Sequence, residues 1–317
     1  MSSNLRGYAY AALSSASYGV NAFAVILYAT GLTVNSVLFY RYLFASLLMA
    51  VIMLAKRESF SVSAKELALV APMGMLFAFS SFALFEAYNY LGVSLSATVL
   101  FVYPAMVALL LWAFCREKPG KVTFFAIPVV FFGIVLLDFD GIMSGESSLA
   151  GMLIILSSAL SYAVYMVVVQ KSRLSEMSST KLSFYSLFFG LLFYVLVTRL
   201  CADVQPIAST RQWAVLLALA LFPSLISISA MASAIKLVGS TATAVLGAFE
   251  PVASVLIGVC LYGERPSFVS WVGMAVILLS VTAVVAQNRV LRIGGKFVRY
   301  VKSHIPSHNN RMTRIRP

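Results

Sequence analysis

Three charged side chains lie inside long apolar stretches of the sequence. Arg41, Glu86 and Glu250 each fall within a run of about twenty mostly apolar residues, the length that crosses a bilayer. A charge at the centre of a membrane helix costs about 2.5–3.5 kcal/mol on insertion scales, so each side chain should face protein or water and find a partner. One cation and two carboxylates held in this way are suited to binding a charged small molecule or a proton.

Arg41 and Glu86 are placed so that they can meet near one face of the membrane. Each lies a few residues from the end of its run, within about 10 Å of the same interface at 1.5 Å per residue. A pair between them would form a gate, or Arg41 would receive a substrate anion when Glu86 releases it. The alternative is a structural ion pair, or an arginine that extends to the lipid headgroups.

Glu250 lies near the middle of its apolar run, where an unpaired carboxylate is most costly. In a transport protein this carboxyl group could bind a substrate amine or a proton. The alternative is a neutral glutamic acid that is hydrogen-bonded to a neighbouring helix.

Pro104 and Pro251 both fall near the middle of their apolar runs. Each removes a backbone donor and loosens the carbonyl one turn earlier, at Leu100 and Gly247 respectively. We expect kinks that shape a cavity and take part in gating. Ligand binding by the freed carbonyls, as in the broken helices of transporters, is the alternative.

Aromatic and amide side chains complete the candidate binding site: Tyr18, Asn21, Tyr103, Tyr162 and Tyr165. Aromatic walls with a few hydroxyl or amide groups suit an amphipathic organic substrate. Tyrosines in membrane helices also pack or anchor at the interface, which is the alternative for each of them.

Other chemistry has no support in the sequence. Cys115, Cys201 and Cys260 are far apart, and the two histidines, His304 and His308, follow the last apolar run, so neither a disulfide framework nor a metal site is indicated. There is no HExxH, Walker or GxGxxG motif, so we expect neither an enzyme nor a cofactor. The net charge of +12 resides in loops and the C-terminal segment rather than on one surface, which argues against a nucleic-acid partner.

The elements that position these residues are predicted to be ten transmembrane helices. The 317 residues are 61% apolar and 11% charged, far from the usage of soluble domains. The apolar runs are too long, and alternate too little, for the strands of a barrel. The predicted spans are 7–28, 35–55, 67–90, 95–114, 122–137, 150–170, 182–198, 212–235, 241–262 and 267–287.

The distribution of lysine and arginine predicts that both termini are cytoplasmic. With the N-terminus inside, nineteen of these residues fall on the cytoplasmic side and only Arg199, Arg211 and Arg265 on the other. Basic residues are retained on the cytoplasmic side of membrane proteins. The basic segment 288–317 is expected to lie on the anionic inner leaflet, which makes membrane lipids a partner.

The first five spans are duplicated by the last five. Residues 91–120 align without gaps with 238–267, and 14–20 match 158–164. Identical residues fall in register at Gly92 and Gly239, Ala97 and Ala244, Pro104 and Pro251, Glu117 and Glu264, and Pro119 and Pro266. Because five is odd, the second copy must enter the membrane in the opposite orientation. The sequence therefore predicts an all-α protein of two inverted five-helix repeats, 1–137 and 150–287, a design that recurs in secondary transporters.

Several motifs resemble the EamA-like family of the drug/metabolite transporter superfamily. They are Phe249-Glu250-Pro251-Val252 with Gly263-Glu264-Arg265, Tyr103-Pro104 through Glu117, and Tyr40-Arg41-Tyr42. The resemblance covers about residues 5–287. It departs at Tyr18, where members often carry tryptophan, and at Arg116-Glu117, where Gly-Glu is usual; both departures bear on the substrate rather than the fold.

The resemblance implies a transporter that exports or exchanges amino acids or related small metabolites across the plasma membrane, the inner membrane of a bacterium. Helices one to four and six to nine would line a central cavity, with five and ten at the periphery. A coupling proton is compatible with this reading. The substrate, the coupling ion and the oligomeric state stay open at this point. A membrane sensor that kept the fold without transporting is the alternative function.

Overall fold

The computed structural model describes residues 3–23, 31–137, 139, 143, 148–262 and 266–284, and these ranges are almost entirely helical. The helices are α1 (Ser3–Tyr18), α2 (Val34–Ala55), α3 (Ala64–Leu100), α4 (Tyr103–Cys115), α5 (Lys121–Leu137), α6 (Leu149–Lys171), α7 (Ser179–Val197), α8 (Thr210–Leu219), α9 (Ser227–Val238), α10 (Ser240–Leu246), α11 (Phe249–Tyr262) and α12 (Phe268–Val284). Short 3₁₀ turns occupy Gly19–Phe23 and Arg173–Ser175, and a π-helical segment, Ala220–Ile226, joins α8 to α9. The basic segment 288–317 lies outside the described residues.

Hydropathy marks this chain as a multi-pass membrane protein. Five helical stretches are long and apolar enough to cross a bilayer: Val34–Ala55, Ala64–Leu91, Leu149–Lys171, Ser179–Val197 and Thr210–Val238. The helices α4, α5 and α12 are apolar but shorter. The all-helical prediction is therefore confirmed, whereas the number of ten crossings stays a prediction.

The fourth and ninth predicted spans, 95–114 and 241–262, are interrupted in the structure. The helix α3 continues through the predicted loop at 91–94, and two residues separate it from α4. Two residues likewise separate α10 from α11. Each restart comes just before a proline, Pro104 or Pro251, because proline cannot donate within a helix but fits its first turn. The disturbance expected at these two prolines thus takes the form of two-residue breaks, which fall at nearly equivalent positions of the repeats.

Side-chain caps fix where several helices begin. Thr33, Ser148 and Ser178 each have extended backbone geometry, and each hydroxyl accepts a hydrogen bond from an amide in the first turn of α2, α6 or α7. Ser209 and Gln212 form a reciprocal capping box at the start of α8. These caps satisfy amide donors that a helix leaves open at its first turn.

The main contacts between helices of the two repeats have counterparts that are found by exchanging the repeats. The helix α3 packs most extensively against α6, α1 packs against α9, and α2 faces α7. Exchanging the repeats turns the α3–α6 contact into the α9–α1 contact and maps the α2–α7 contact onto itself. This pattern is expected of repeats related by a pseudo-two-fold axis.

Two buried serine pairs show the same relation at atomic detail. The hydroxyls of Ser14 and Ser227 are 3.1 Å apart between α1 and α9, and those of Ser158 and Ser80 are 3.2 Å apart between α6 and α3. Ser14 and Ser158 were matched by the repeat alignment. Small polar residues of this kind allow close helix packing and hydrogen bonding in a membrane.

The central contact between α2 and α7 depends on a glycine. A Cβ at Gly190 would overlap the ring of Tyr42, and that ring packs at 4.9 Å between centroids against Tyr194. Both tyrosines are fully buried. The absence of a side chain at Gly190 therefore lets the two central helices approach each other with their aromatic rings between them.

Candidate functional site

A narrow cavity lies at the centre of the protein, between helices of both repeats. It has room for about one water molecule. Four of the residues predicted from the sequence line it, namely Tyr18, Tyr103, Tyr162 and Glu250. The other lining residues are small, hydroxylic or methionine: Ala11, Ser14, Ser15, Met166, Ser227, Met231, Thr243 and Gly247.

Glu250 lies in the first turn of α11, directly after the break between α10 and α11. Its amide donates to the carbonyl of Gly247 at 2.9 Å, and its side chain lines the cavity. Within the described residues no basic side chain lies within ion-pairing distance of Glu250. The break in the ninth span thus places one carboxyl group at the cavity wall.

Side chains of the first repeat satisfy the carbonyl groups at this break. The Tyr103 hydroxyl donates to the carbonyl of Ala244 at 3.0 Å, and the Ser15 hydroxyl donates to that of Gly247 at 2.6 Å. The Gly247 carbonyl, one of the two considered as ligands from the sequence, is therefore engaged within the protein in this conformation. A Cβ at Gly247 would collide with the Tyr103 hydroxyl, so glycine is needed here for the close approach.

Tyr103 and Tyr162 form the aromatic wall of the cavity. Their ring centroids are 4.8 Å apart in an edge-to-face arrangement, a favourable geometry for aromatic pairs. The Tyr162 hydroxyl lies 3.0 Å from the sulfur of Met231. Together they place an apolar surface opposite the polar groups of α1 and α11, which suits an amphipathic ligand.

Arg41 is fully buried next to the cavity and is held by acceptors from two other helical segments. Its Nε donates to the Ser224 hydroxyl at 2.6 Å, Nη1 donates to Oδ1 of Asn21 at 3.0 Å, and Nη2 donates to the carbonyl of Pro223 at 3.4 Å. The guanidinium also lies 5.5 Å from the ring centroid of Tyr18, within the range of a cation–π contact. Tyr18 therefore lines the cavity and contacts Arg41 at the same time.

The acceptors from the eighth predicted span were missed by the sequence analysis. Pro223 lies inside the π-helical segment, and the Ser224 hydroxyl donates to the carbonyl of Leu219 at 3.1 Å, beside the point where proline offers no amide. The π-helical turn leaves the Pro223 carbonyl available to Arg41. The sequence signal for this element was Pro223 itself, which lies in the middle of an apolar run as Pro104 and Pro251 do.

The side-chain amide of Asn21 has an unpaired N–H donor beside the guanidinium. Its carbonyl oxygen accepts from Arg41, while its Nδ2 is buried and has no hydrogen-bond partner among the described residues. The unpaired Nδ2 donor of Asn21 therefore lies next to the guanidinium, and a donor beside a positive charge suits the binding of an anionic oxygen.

The structure separates two of the predicted residues from the cavity. Glu86 is half-buried and accepts from Asn89 at 3.4 Å, so it is not paired with Arg41 in this structure. Tyr165 is fully buried between α6 and α7, where its hydroxyl lies 3.1 Å from that of Ser186. The side chain of Tyr165 packs between helices here, as the alternative interpretation expected.

The repeats contact each other at both ends of the cavity. At the end predicted to be cytoplasmic, Lys171 forms an ion pair with Glu117, and the Ser178 hydroxyl donates to Glu58 at 2.8 Å. At the opposite end, the amide of Thr33 donates to Oε1 of Gln205 at 2.6 Å, and the amide of Gln205 donates to the Ser36 hydroxyl at 2.9 Å. These contacts and the narrow cavity describe a closed conformation. 

No group of three or more His, Cys, Asp or Glu side chains with metal-binding proximity occurs in the ranges that the structure describes. Among the described residues, Glu250 lines the cavity and Arg41 contacts it through Tyr18, and both side chains are suited to binding an organic ion or a proton.

Comparison with known proteins gives one family and one shared fold. Residues 5–138 and 149–286 each match the EamA-like transporter family. A solved crystal structure of a protein that is 20% identical aligns with 91% of this chain and 99% of its own, at a TM-score of 0.70. None of the curated proteins compared with the chain matches its sequence. The two matched segments coincide with the two repeats identified in the sequence.

Proposed function

The chain belongs to the EamA-like transporter family, and from that premise we propose that it is a secondary transporter of small amphipathic metabolites, amino acids or related compounds. It moves them across the plasma membrane by alternating access, as an exporter or an exchanger. Both termini lie in the cytoplasm, as the distribution of basic residues favours. The lining of the central cavity by both repeats is the observation that carries this proposal.

The charges around the cavity match the two ends of an amino acid. In the proposed complex, Glu250 binds the substrate amine, while Arg41 and the free amide donor of Asn21 bind its carboxylate. Tyr18 lies between the cavity and Arg41, so its ring must move for a carboxylate to reach the guanidinium. Tyr103 and Tyr162 contact the apolar part of the substrate.

Transport requires the closed conformation to open. A cavity with room for about one water molecule cannot hold a metabolite, so substrate enters only after the repeats separate at one end. The proposed cycle breaks the Lys171–Glu117 contact at one end or the contacts of Gln205 at the other, never both together. Glu86 and the breaks before Pro104 and Pro251 serve this gating. Glu250 also carries the coupling proton when no substrate amine occupies it.

Uptake by proteoliposomes tests this function. Wild type, Arg41→Gln and Glu250→Gln are compared over a panel of labelled amino acids and amphipathic amines, with Arg57→Gln as the matched control because Arg57 is exposed at the end of α2. We expect a wild-type substrate whose uptake falls at least about tenfold in both site variants, since a charge-assisted hydrogen bond contributes about 1.5–3 kcal/mol. Normal uptake by folded Arg41→Gln and Glu250→Gln would contradict the assigned site.

The same panel separates a transporter from a sensor that kept the fold. Thermal stabilisation of the protein by a compound that is never taken up would favour the sensor.

A further inference from the structure

A second cavity opens on the outer surface, between α4 and α5, and shares no residue with the central cavity. It has a volume of about 580 Å³, within the range of about 300–1,000 Å³ typical of small-molecule sites. Ala105 and Ala108 contribute small side chains from α4, and Trp112 and Phe124 stand at its sides. At its loop end the cavity is lined by Lys118.

The shape of this groove fits a hydrocarbon chain. From Ala105 to Trp112 it follows α4 for about 10 Å at 1.5 Å per residue. Trp112 and Phe124 are 54% and 59% exposed on apolar helices of a membrane protein, where lipid tails are the expected neighbours. A groove with a small-residue floor, open to the bilayer, is filled by an acyl chain rather than by water.

The charge at the mouth selects the headgroup. Lys118 is exposed and, among the described residues, forms neither an ion pair nor a hydrogen bond, whereas the neighbouring Glu117 is paired with Lys171. In the part of the chain that the structure describes, the positive charge of Lys118 therefore has no ion-pair partner at the loop end of the apolar groove. Basic residues at the end of grooves between membrane helices bind anionic lipid headgroups.

We propose that this groove is a binding site for an anionic phospholipid, with one acyl chain between α4 and α5 and the phosphate at Lys118. The site is independent of the central cavity and of the proposed substrate. Because α4 carries Tyr103 at its other end, lipid bound here contacts the same helix that closes the break before Glu250.

The position of Trp112 allows a local test. The chain has three tryptophans, and replacing Trp213 and Trp271 with phenylalanine leaves Trp112 as the only reporter. The full-length variant is placed in phospholipid with brominated acyl chains, which quench tryptophan fluorescence on contact, and phosphatidylglycerol is compared with phosphatidylcholine of the same chains. A variant with Trp271 alone is the control reporter, because Trp271 is exposed on α12 and does not line the groove.

We expect phosphatidylglycerol to be preferred over phosphatidylcholine at Trp112 by about fivefold, the effect of one basic residue near the headgroups. At Trp271 the two lipids should quench equally. Lys118→Gln should abolish the preference, whereas Lys65→Gln, another exposed lysine on the predicted cytoplasmic side, should leave it unchanged. Ala108→Leu, which fills the groove, should reduce quenching by both lipids, and excess inorganic phosphate should not compete.

Three results would overturn the proposal. Equal quenching of Trp112 by both lipids would mean ordinary lipid contact without a site. Absence of quenching by either lipid would mean that something else, such as a second copy of the chain, covers the groove. A preference that survives in Lys118→Gln would remove the assigned headgroup contact.

Discussion

Arg41 shows how a costly residue is retained in a membrane protein. A buried guanidinium needs acceptors in several directions, and here three of its nitrogens donate to Ser224, Asn21 and the Pro223 carbonyl. Lysine has a single nitrogen and cannot reproduce this planar set of donors. Arg41 therefore joins α2 to the 3₁₀ turn Gly19–Phe23 and to the π-helical segment Ala220–Ile226. These contacts lie beside the proposed carboxylate site.

We predict that Arg41→Lys lowers the rate of substrate uptake by about tenfold or more, since hydrogen bonds to charged groups contribute about 1.5–3 kcal/mol. The measurement is the initial uptake rate in proteoliposomes, normalised to folded protein. Arg57→Lys makes the same chemical change at an exposed position and should have no effect. Equal rates for wild type and Arg41→Lys would show that the positive charge alone suffices.

Glu250 is predicted to carry the pH dependence of transport. A glutamine at this position keeps the size of the side chain but can neither bind nor release a proton, so Glu250→Gln should transport, if at all, at a rate that does not vary with pH. Glu176→Gln, at an exposed position, is the matched control. A pH profile that Glu250→Gln shares with wild type would assign the proton to another group.

At the scale of elements, the break between α10 and α11 is closed by a side chain from the other repeat. Tyr103 donates to the Ala244 carbonyl, and its hydroxyl occupies the space that a side chain at Gly247 would need. The two broken spans are thus coupled to each other. A movement of α4 that withdraws Tyr103 would uncover the Ala244 carbonyl at the break before Glu250.

Gly247→Ala tests this coupling. The added methyl group should displace Tyr103 and destabilise the protein by about 1–3 kcal/mol, as overpacking usually does. Tyr103→Phe removes the hydroxyl that collides, so the double variant should be more stable than the sum of the two single effects predicts, by about 0.5–3 kcal/mol. Thermal unfolding in detergent measures the stability of wild type, the two single variants and the double variant. Additive effects would mean that Tyr103 and Gly247 do not interact.

The interrupted spans also show what could be predicted from the sequence. Pro104 and Pro251 identified the places where helices are disturbed, and the repeat alignment paired them, because proline acts through its own backbone. The predicted loop at 91–94 proved helical, because no proline interrupts the chain there and Gly92 alone does not end α3. The partners of Arg41 were not predictable in the same way, because Ser224 lies 183 residues away and meets Arg41 only in the folded protein.

At the scale of the whole molecule, the contacts of one repeat correspond to contacts of the other. The packing of α3 with α6 and of α9 with α1, together with the two buried serine pairs, relates one half to the other. An odd number of crossings in each repeat would place equivalent loops on opposite sides of the membrane. The loops that follow α2 and α7 are such an equivalent pair.

Thiol labelling tests this inverted arrangement. Cys201 lies exposed after α7, and Ser61→Cys places a thiol in the equivalent loop after α2. Cys115 and Cys260 are replaced by serine in both test proteins, so that each carries a single thiol. We expect a membrane-impermeant maleimide to label Cys201 in intact cells, whereas the thiol at position 61, with Cys201 also replaced by serine, should react only after permeabilisation. Labelling of both thiols from the same side would exclude inverted repeats.

Counterflow tests the central claim, alternating access through the cavity shared by the repeats, most directly. Proteoliposomes are loaded with an unlabelled compound from the panel and diluted into a low concentration of the same compound carrying a label. We predict that the label accumulates transiently above its external concentration in wild type and that Glu250→Gln and Arg41→Gln lose this accumulation. Label that only equilibrates would indicate a channel-like pathway, and no entry of any compound, despite binding, would contradict the transporter.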